Sequence, residues 1–233
     1  MRLILFDIDG TILLTDGAGR RAIHRALLEE MGTAGPIDSY RFDGKTDPQI
    51  VRELLTHAGH PEASRADRVQ AVCDRYVGLL ESELGRPTQQ SRLMAGITDL
   101  LAALIQYETE RRVLVGLLTG NVARGAELKL RSVGIAPTRF ALGAYGSDAA
   151  HRPELPDIAR RRAEALLGMS LTGQDVVIVG DTPDDVACAR PIAARTVAVA
   201  TGQYDQAALR AAGATHVFAD LSDTRAVLDA LLA

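Results

Sequence analysis

The 233-residue chain has no tryptophan, only 4 % aromatic residues, two cysteines and two lysines. Each shortage excludes something. With so few aromatics, aliphatic side chains must build the core, and a hydrophobic content of 47 % is enough for one. Cys73 and Cys188 lie far apart and form no CxxC pair, which argues against a disulfide scaffold or a cysteine-rich zinc site. Both are predicted to be buried small hydrophobes in a reduced, cytoplasmic setting. The only lysines are Lys45 and Lys129, so arginine stands at nearly every basic position. A net charge of −4 speaks against nucleic acid or an anionic membrane surface as partner. No window of about 18 apolar residues exists, so no transmembrane span is predicted. The apolar start Leu3–Phe6 runs at once into Asp7 and Asp9, too short for the apolar stretch of a secretion signal.

What the chain does have is alternation. Short apolar runs at 3–6, 113–118, 176–179 and 197–200, with weaker ones at 140–144 and 216–219, predict buried parallel strands. Amphipathic stretches around 97–108, 122–133, 155–167, 205–212 and 223–232 predict helices between them. The fold class is therefore α/β, a doubly wound, mostly parallel sheet with right-handed crossovers. One interval breaks the rhythm. From about 17 to 88 the pattern reads as three helices, 18–31, 47–58 and 66–84, broken by Gly32, Gly35 and Pro36, by Gly59 and Pro61, and ended by Gly85 and Pro87. This predicts a helical cap over 17–88 inserted into an α/β core of 1–16 and 89–233. Linkers are expected near 13–17 and 86–92, and no strand is expected anywhere between the first strand and the one at 113.

Ligands of such sheets bind beyond the carboxyl ends of the strands, so those ends carry the functional reading. The first runs into Asp7-Ile8-Asp9-Gly10-Thr11. Residues two apart share a face of a strand, so two carboxylates project together. They repel unless a cation lies between them, and hard oxygen donors suit Mg²⁺. The second end is Thr119-Gly120-Asn121, where Thr119 either caps the next helix or, with the free N–H groups, holds a phosphate oxygen. The third is Gly180-Asp181-Thr182-Pro183-Asp184-Asp185. A helix starting at Pro183 or Asp184 would explain the two later aspartates by its dipole, but not Asp181. Together the three ends supply a nucleophile, an acid/base, anionic metal ligands and hydroxyl or amide donors, which is what phosphoryl transfer requires.

In order and spacing these residues resemble the haloacid dehalogenase (HAD) superfamily, in its phosphoglycolate phosphatase-like branch with a helical cap. Asp7-Ile8-Asp9-Gly10-Thr11 resembles the family's first motif, Thr119-Gly120-Asn121 its second, and Gly180-Asp181 with Asp185 its fourth. The resemblance implies a Mg²⁺-dependent phosphomonoester hydrolase working through an aspartyl-phosphate on a small phosphorylated metabolite, with phosphoglycolate the leading candidate. It implies that Asp7 attacks phosphorus and binds the metal. Asp9 protonates the leaving oxygen, activates water and gives its backbone carbonyl to the metal. Asp181 binds the metal and Asp185 supports it; Thr119, Gly120 and Asn121 hold phosphate. The family's third motif is a lysine, but no lysine follows Lys129. Arg152, in His151-Arg152-Pro153, is expected to replace it. Lys129 is the poorer candidate, lying mid-helix two turns past Asn121. In the cap, Lys45 is expected to meet a second anionic group of the substrate, or else to be a solvated lysine beside a Thr46 or Asp47 helix cap. Alternative readings are a phosphosugar mutase and a phosphate-binding module without turnover. The chain is expected to act as a monomer or homodimer.

Overall fold

The computed structural model describes residues 1–233. Six parallel strands form the sheet: β1 (Arg2–Phe6), β4 (Val113–Thr119), β5 (Leu142–Tyr145), β6 (Val176–Gly180), β7 (Arg195–Val199) and β8 (His216–Phe218). Their order is β5-β4-β1-β6-β7-β8, so the three motif-bearing strands β4, β1 and β6 are adjacent at the centre. The register sets Phe6 opposite Leu117 on one side and Val179 on the other. This is the doubly wound α/β architecture that the alternation predicts.

β1 shows why the sheet is buried on both faces. Side chains alternate along a strand. Ile4 and Phe6 enter one apolar cluster with Ile97, Leu100 and Leu104 of α4 (Ile97–Thr109) and Val227 and Leu231 of α9 (Thr224–Leu232). Leu3 and Leu5 enter another with Ala159 and Ala163 of α6 (Leu155–Leu167) and Cys188, which ends α7 (Pro183–Cys188). Cys73 and Cys188 are free and buried. Burial pushes the Cys188 thiol up to about 12, so it stays a protonated hydrophobe. A small outer cluster joins α8 (Gln206–Ala211) to β7 through Leu209 and Ala198.

Three helices follow β1: α1 (Ala18–Met31), α2 (Asp47–His57) and α3 (Ala66–Leu84). They enclose an apolar cluster of their own, including Ile23, Leu27, Leu54, Leu55, Val72 and Tyr76. α5 (Ala123–Ser132) borders it, contributing Leu128 and the preceding Val122. The interval is not strandless. Two-residue strands β2 (Leu13–Leu14) and β3 (Arg92–Leu93) pair antiparallel, Leu13 with Leu93 and Leu14 with Arg92. Both fall at the edges of the predicted linkers. Two residues carry no readable alternation, so strands this short leave no periodic signal.

The helix starts near the site are locally encoded. The Thr46 hydroxyl accepts from the Gln49 N–H and caps α2, with Pro48 in the first turn. The Thr182 hydroxyl accepts from the Asp185 N–H, and the Asp185 carboxylate accepts from the Thr182 N–H and hydroxyl, a reciprocal box at the start of α7. α5 begins differently. Val122 stands at its N-cap position without a side-chain cap, so Thr119 is not the helix cap that one reading of the sequence allowed.

Candidate active site

A cavity of about 380 Å³ opens where the carboxyl ends of β1, β4 and β6 meet the α1–α3 helices. Asp7, Asp9, Thr119, Asn121, Arg152 and Asp181 line its floor, and Arg20, Phe42, Lys45 and Tyr76 line its roof. The sheet order brings the first four together, since each immediately follows or ends one of the neighbouring strands β1 and β4. Asp7 is also fixed by its N–H, which donates to the Val179 carbonyl at 2.9 Å.

Asp7, Asp181 and Asp185 form an acidic trio whose carboxylate oxygens lie within 4.8 Å of one another, all three buried. Thr11 donates to Asp181 at 3.2 Å. Gly10 is required here twice over. Its φ is +81°, and a Cβ would lie 2.3 Å from the Asp181 carboxylate. Burial pushes the Asp7 carboxyl up to about 7; Arg152 opposes the rise, and Asp185 and Asp9 add to it. Burial, with Asp185 and Asp7 beside it, holds Asp181 well above the usual carboxylate range. Three hard oxygen donors crowded into a dry site lack positive charge. That donor set fits a hard divalent cation.

One cation is already present. Arg152 is buried, 3.2 Å from Asp7, and its guanidinium also pairs with Asp185. Burial works against its charge, but the two carboxylates more than offset this and its pKa is pushed above the ordinary arginine value. It thus bridges Asp7, the nucleophile candidate, and the helix-start Asp185. Its Nε has no partner.

The Asp9 carboxylate turns away from the trio. Asn121 donates to it at 2.8 Å, and Lys129 donates to both of its oxygens, at 2.8 and 2.7 Å. Asn121 also donates to the Thr119 hydroxyl at 2.8 Å, which ties the end of β4 to the loop after β1. Lys129 is the residue that sequence reasoning passed over. Two turns along α5 from Asn121, its side chain reaches the Asp9 carboxylate. A signal was available. Ala126, Lys129 and Leu130 are the buried residues of one face. A lysine on an apolar stripe demands a carboxylate partner.

Asp47, at the start of α2, was expected only as a cap candidate. It is buried and crosses to the core: its carboxylate accepts from the Val122 N–H at 2.9 Å, at the head of α5. Burial pushes its carboxyl up to about 6, against the pull of Lys129 and the Val122 bond. Its N–H donates to the Gly120 carbonyl at 2.8 Å, and the Thr46 hydroxyl donates to Ala150 at 2.6 Å. Gly120 must be small here, since a Cβ would lie 2.0 Å from the Lys45 carbonyl. Lys45 lines the cavity beside the Thr46 cap of α2. Its ammonium is committed to Glu53 at 2.7 Å and the Tyr40 hydroxyl at 2.6 Å. Although burial works the other way, bonds from Lys45, Tyr40 and Gln49 hold the Glu53 carboxyl down at about 2.

No helix is long and apolar enough to cross a membrane. A HAD-hydrolase-like family model matches residues 153–224. A phosphoglycolate phosphatase of Rhodospirillum rubrum is 27 % identical over 225 residues, covering 95 % of this chain and 88 % of that protein. An N-acetylmuramic acid 6-phosphate phosphatase of Pseudomonas putida is 25 % identical, covering 87 % and 84 %. A solved hydrolase from Pseudomonas syringae superposes with a TM-score of 0.73 over 98 % of both chains at 20 % identity.

Proposed function

We propose that this chain is a phosphatase of the HAD-like hydrolases, hydrolysing a small phosphomonoester through an aspartyl-phosphate on Asp7, with Mg²⁺ and with residues 17–88 as a cap over the reaction. The observation that carries this is the split of carboxylates at the end of β1: Asp7 sits in the acidic trio beside Arg152, while Asp9, two residues on, faces Asn121 and Lys129. One strand end thus offers a nucleophile and a separate proton-transfer group.

Asp7 and Asp181 would hold Mg²⁺ with Asp185 behind them and the Asp9 carbonyl as a further donor. The ion, when bound, neutralises charge between the nucleophile and the phosphoryl oxygens. In the first step an Asp7 oxygen bonds to phosphorus and the ester P–O bond breaks, while Asp9 gives a proton to the leaving oxygen. In the second, water attacks phosphorus, Asp9 takes its proton, and the Asp7–phosphorus bond breaks to release phosphate. Thr119, the Gly120 loop and Asn121 hold phosphoryl oxygens. Arg152 balances the charge of Asp7 as the expected lysine would. Lys45, anchored by Glu53, faces the cavity where a second polar or anionic group of the substrate lies. Small phosphorylated acids head the substrate class, because the curated relatives include a phosphoglycolate phosphatase.

The test is phosphate release from a panel of phosphomonoesters, with Mg²⁺ and with EDTA. Mg²⁺-dependent release that Asp7→Asn abolishes is the expected result. Release by Asp7→Asn within tenfold of wild type removes Asp7 as nucleophile, and conversion of a sugar phosphate to its isomer without phosphate release points to a mutase.

A further inference from the structure

Lys129 is 5 % exposed, and its ammonium lies where four segments converge. It extends from α5. A Cβ placed on Gly19 of α1 would lie 3.5 Å from its Nζ and 3.7 Å from the Tyr76 hydroxyl of α3. Asp47 of α2 faces it closely enough for the lysine to pull on its ionisation. Of these groups only Asp9 is in hydrogen-bonding contact, through both carboxylate oxygens. A buried ammonium is costly unless paired, so this arrangement is specific rather than incidental.

The Asp9 side chain is 40 % exposed and faces open cavity. A half-exposed carboxylate two residues from Asp7 has no packing to fix its rotamer. Its orientation comes from polar partners, and Lys129 with Asn121 are those partners. We propose that Lys129 is a positioning residue for proton transfer: it holds the Asp9 carboxylate turned from the acidic trio towards the leaving oxygen, and α1, α2 and α3 complete the enclosure around its ammonium. This rests on the reaction proposed above. Arg152 and Lys129 then divide the work of the cations, one serving the attacking carboxylate and the other the carboxylate that moves the proton.

Proton donation to the leaving oxygen matters most for esters of strongly basic alcohols and little for p-nitrophenyl phosphate, whose leaving group departs as a stable anion. The experiment measures kcat and KM with Mg²⁺ for p-nitrophenyl phosphate and for the best alkyl phosphate, in wild type, Lys129→Met, Asp9→Asn and the double variant. Lys129→Gln is run in parallel, so that a folding defect peculiar to the methionine does not decide the outcome, and thermal melts report folding. The expected loss in Lys129→Met is about 100-fold in kcat/KM on the alkyl ester, at the low end for a general acid–base contribution; kcat/KM is the readout because it ends at the first phosphoryl transfer and leaves out the water step that Asp9 serves for every ester. The expected loss on p-nitrophenyl phosphate is less than about fivefold. In the Asp9→Asn background the lysine substitution should cost nothing further on the alkyl ester, because the two residues act as one unit. Equal losses on both esters, additive losses in the double variant, or no loss at all overturn the inference. If wild type and Asp9→Asn show the leaving-group difference and Lys129→Met does not, the inference fails alone. A wild type that releases phosphate from no ester overturns the proposed reaction, and this inference with it.

Discussion

Gly120→Ala isolates the contact between the helical layer and the core. Gly120 does not have a positive φ, so alanine is tolerated by the backbone itself. The conflict is purely one of contact: the new methyl would lie 2.0 Å from the Lys45 carbonyl and 3.0 Å from Thr46 Cα. Ordinary van der Waals separation requires the 44–47 loop to rise by more than about 1 Å. The bond from Asp47 N–H to Gly120, now 2.8 Å, cannot survive that, and the Asp47–Val122 bond of 2.9 Å is stretched with it. A neutral bond contributes about 1 kcal/mol net and a bond to a charged group about 1.5–3. Losing both weakens the seated arrangement by roughly 2.5 kcal/mol, a factor of about 70 in the closed-to-open ratio. If the seated layer is the reactive state, kcat/KM falls by tens of fold. The melting temperature should drop by less than about 5 °C, because the unseated helices keep their own apolar cluster. Gly120 also faces bound phosphate in the proposed reaction, so Thr46→Val serves as a companion. It loses the bond to Ala150 and the cap of α2 without touching the phosphate loop, and should cost about 5–10-fold in activity along with a small drop in melting temperature from the lost cap. Steady-state kinetics of both variants, with melts, make the assay. Activity within twofold of wild type in both would refute the reasoning.

The remaining expectations concern charge. Carboxyls held above their usual range must lose protons to bind a cation, so the rise in melting temperature on adding Mg²⁺ should be larger at pH 8 than at pH 6, given Asp7 at about 7; an equal rise at both values would remove the trio as the binding site. Asp47, raised to about 6, binds more protons folded than unfolded, so its contribution to stability is greatest below about pH 4 and is lost as pH rises through 6. Asp47→Asn, which stays neutral, should therefore gain on wild type as pH rises from about 4 to 7, by up to roughly 3 kcal/mol, and a pH-independent difference in melting temperature would contradict this. Lys45→Ala frees Glu53 and Tyr40 at the cavity wall, and should raise KM for substrates with a second anionic group while leaving kcat for p-nitrophenyl phosphate within about threefold. An unchanged ranking across the ester panel would take Lys45 out of substrate selection.

The sequence showed much of this architecture, for local reasons. β1 is five residues of RLILF followed at once by Asp7, so strand, buried faces and site carboxylates are read from one short segment. The same holds for Val176–Gly180 before Asp181, and for the Thr182–Asp185 box. What escaped is non-local. Lys129 meets Asp9 across 120 positions of chain, a contact set by the packing of α5 and not by any local pattern. Lys45 looked free because the partner that neutralises it, Glu53, lies two turns into α2 and is reached around Tyr40. Asp47 looked like a cap for its own helix, yet its carboxylate accepts from the Val122 N–H at the head of another. In each case a polar side chain satisfied an element distant in sequence, and no periodicity records that.

Leu13–Leu14 and Arg92–Leu93 run side by side, so the stretch between them leaves and returns at almost the same point. It is a closed excursion, its two ends held to each other by one short antiparallel ladder separate from the six-stranded sheet. An excursion of that kind is exchangeable. A different helical unit grafted between Leu14 and Arg92 would meet the same chemistry at the ends of β1, β4 and β6, with new walls above it. In the proposed reaction, substrate choice and chemistry would then be written on separable pieces of one polypeptide, a division that would allow relatives as different as a phosphoglycolate phosphatase and an N-acetylmuramic acid 6-phosphate phosphatase.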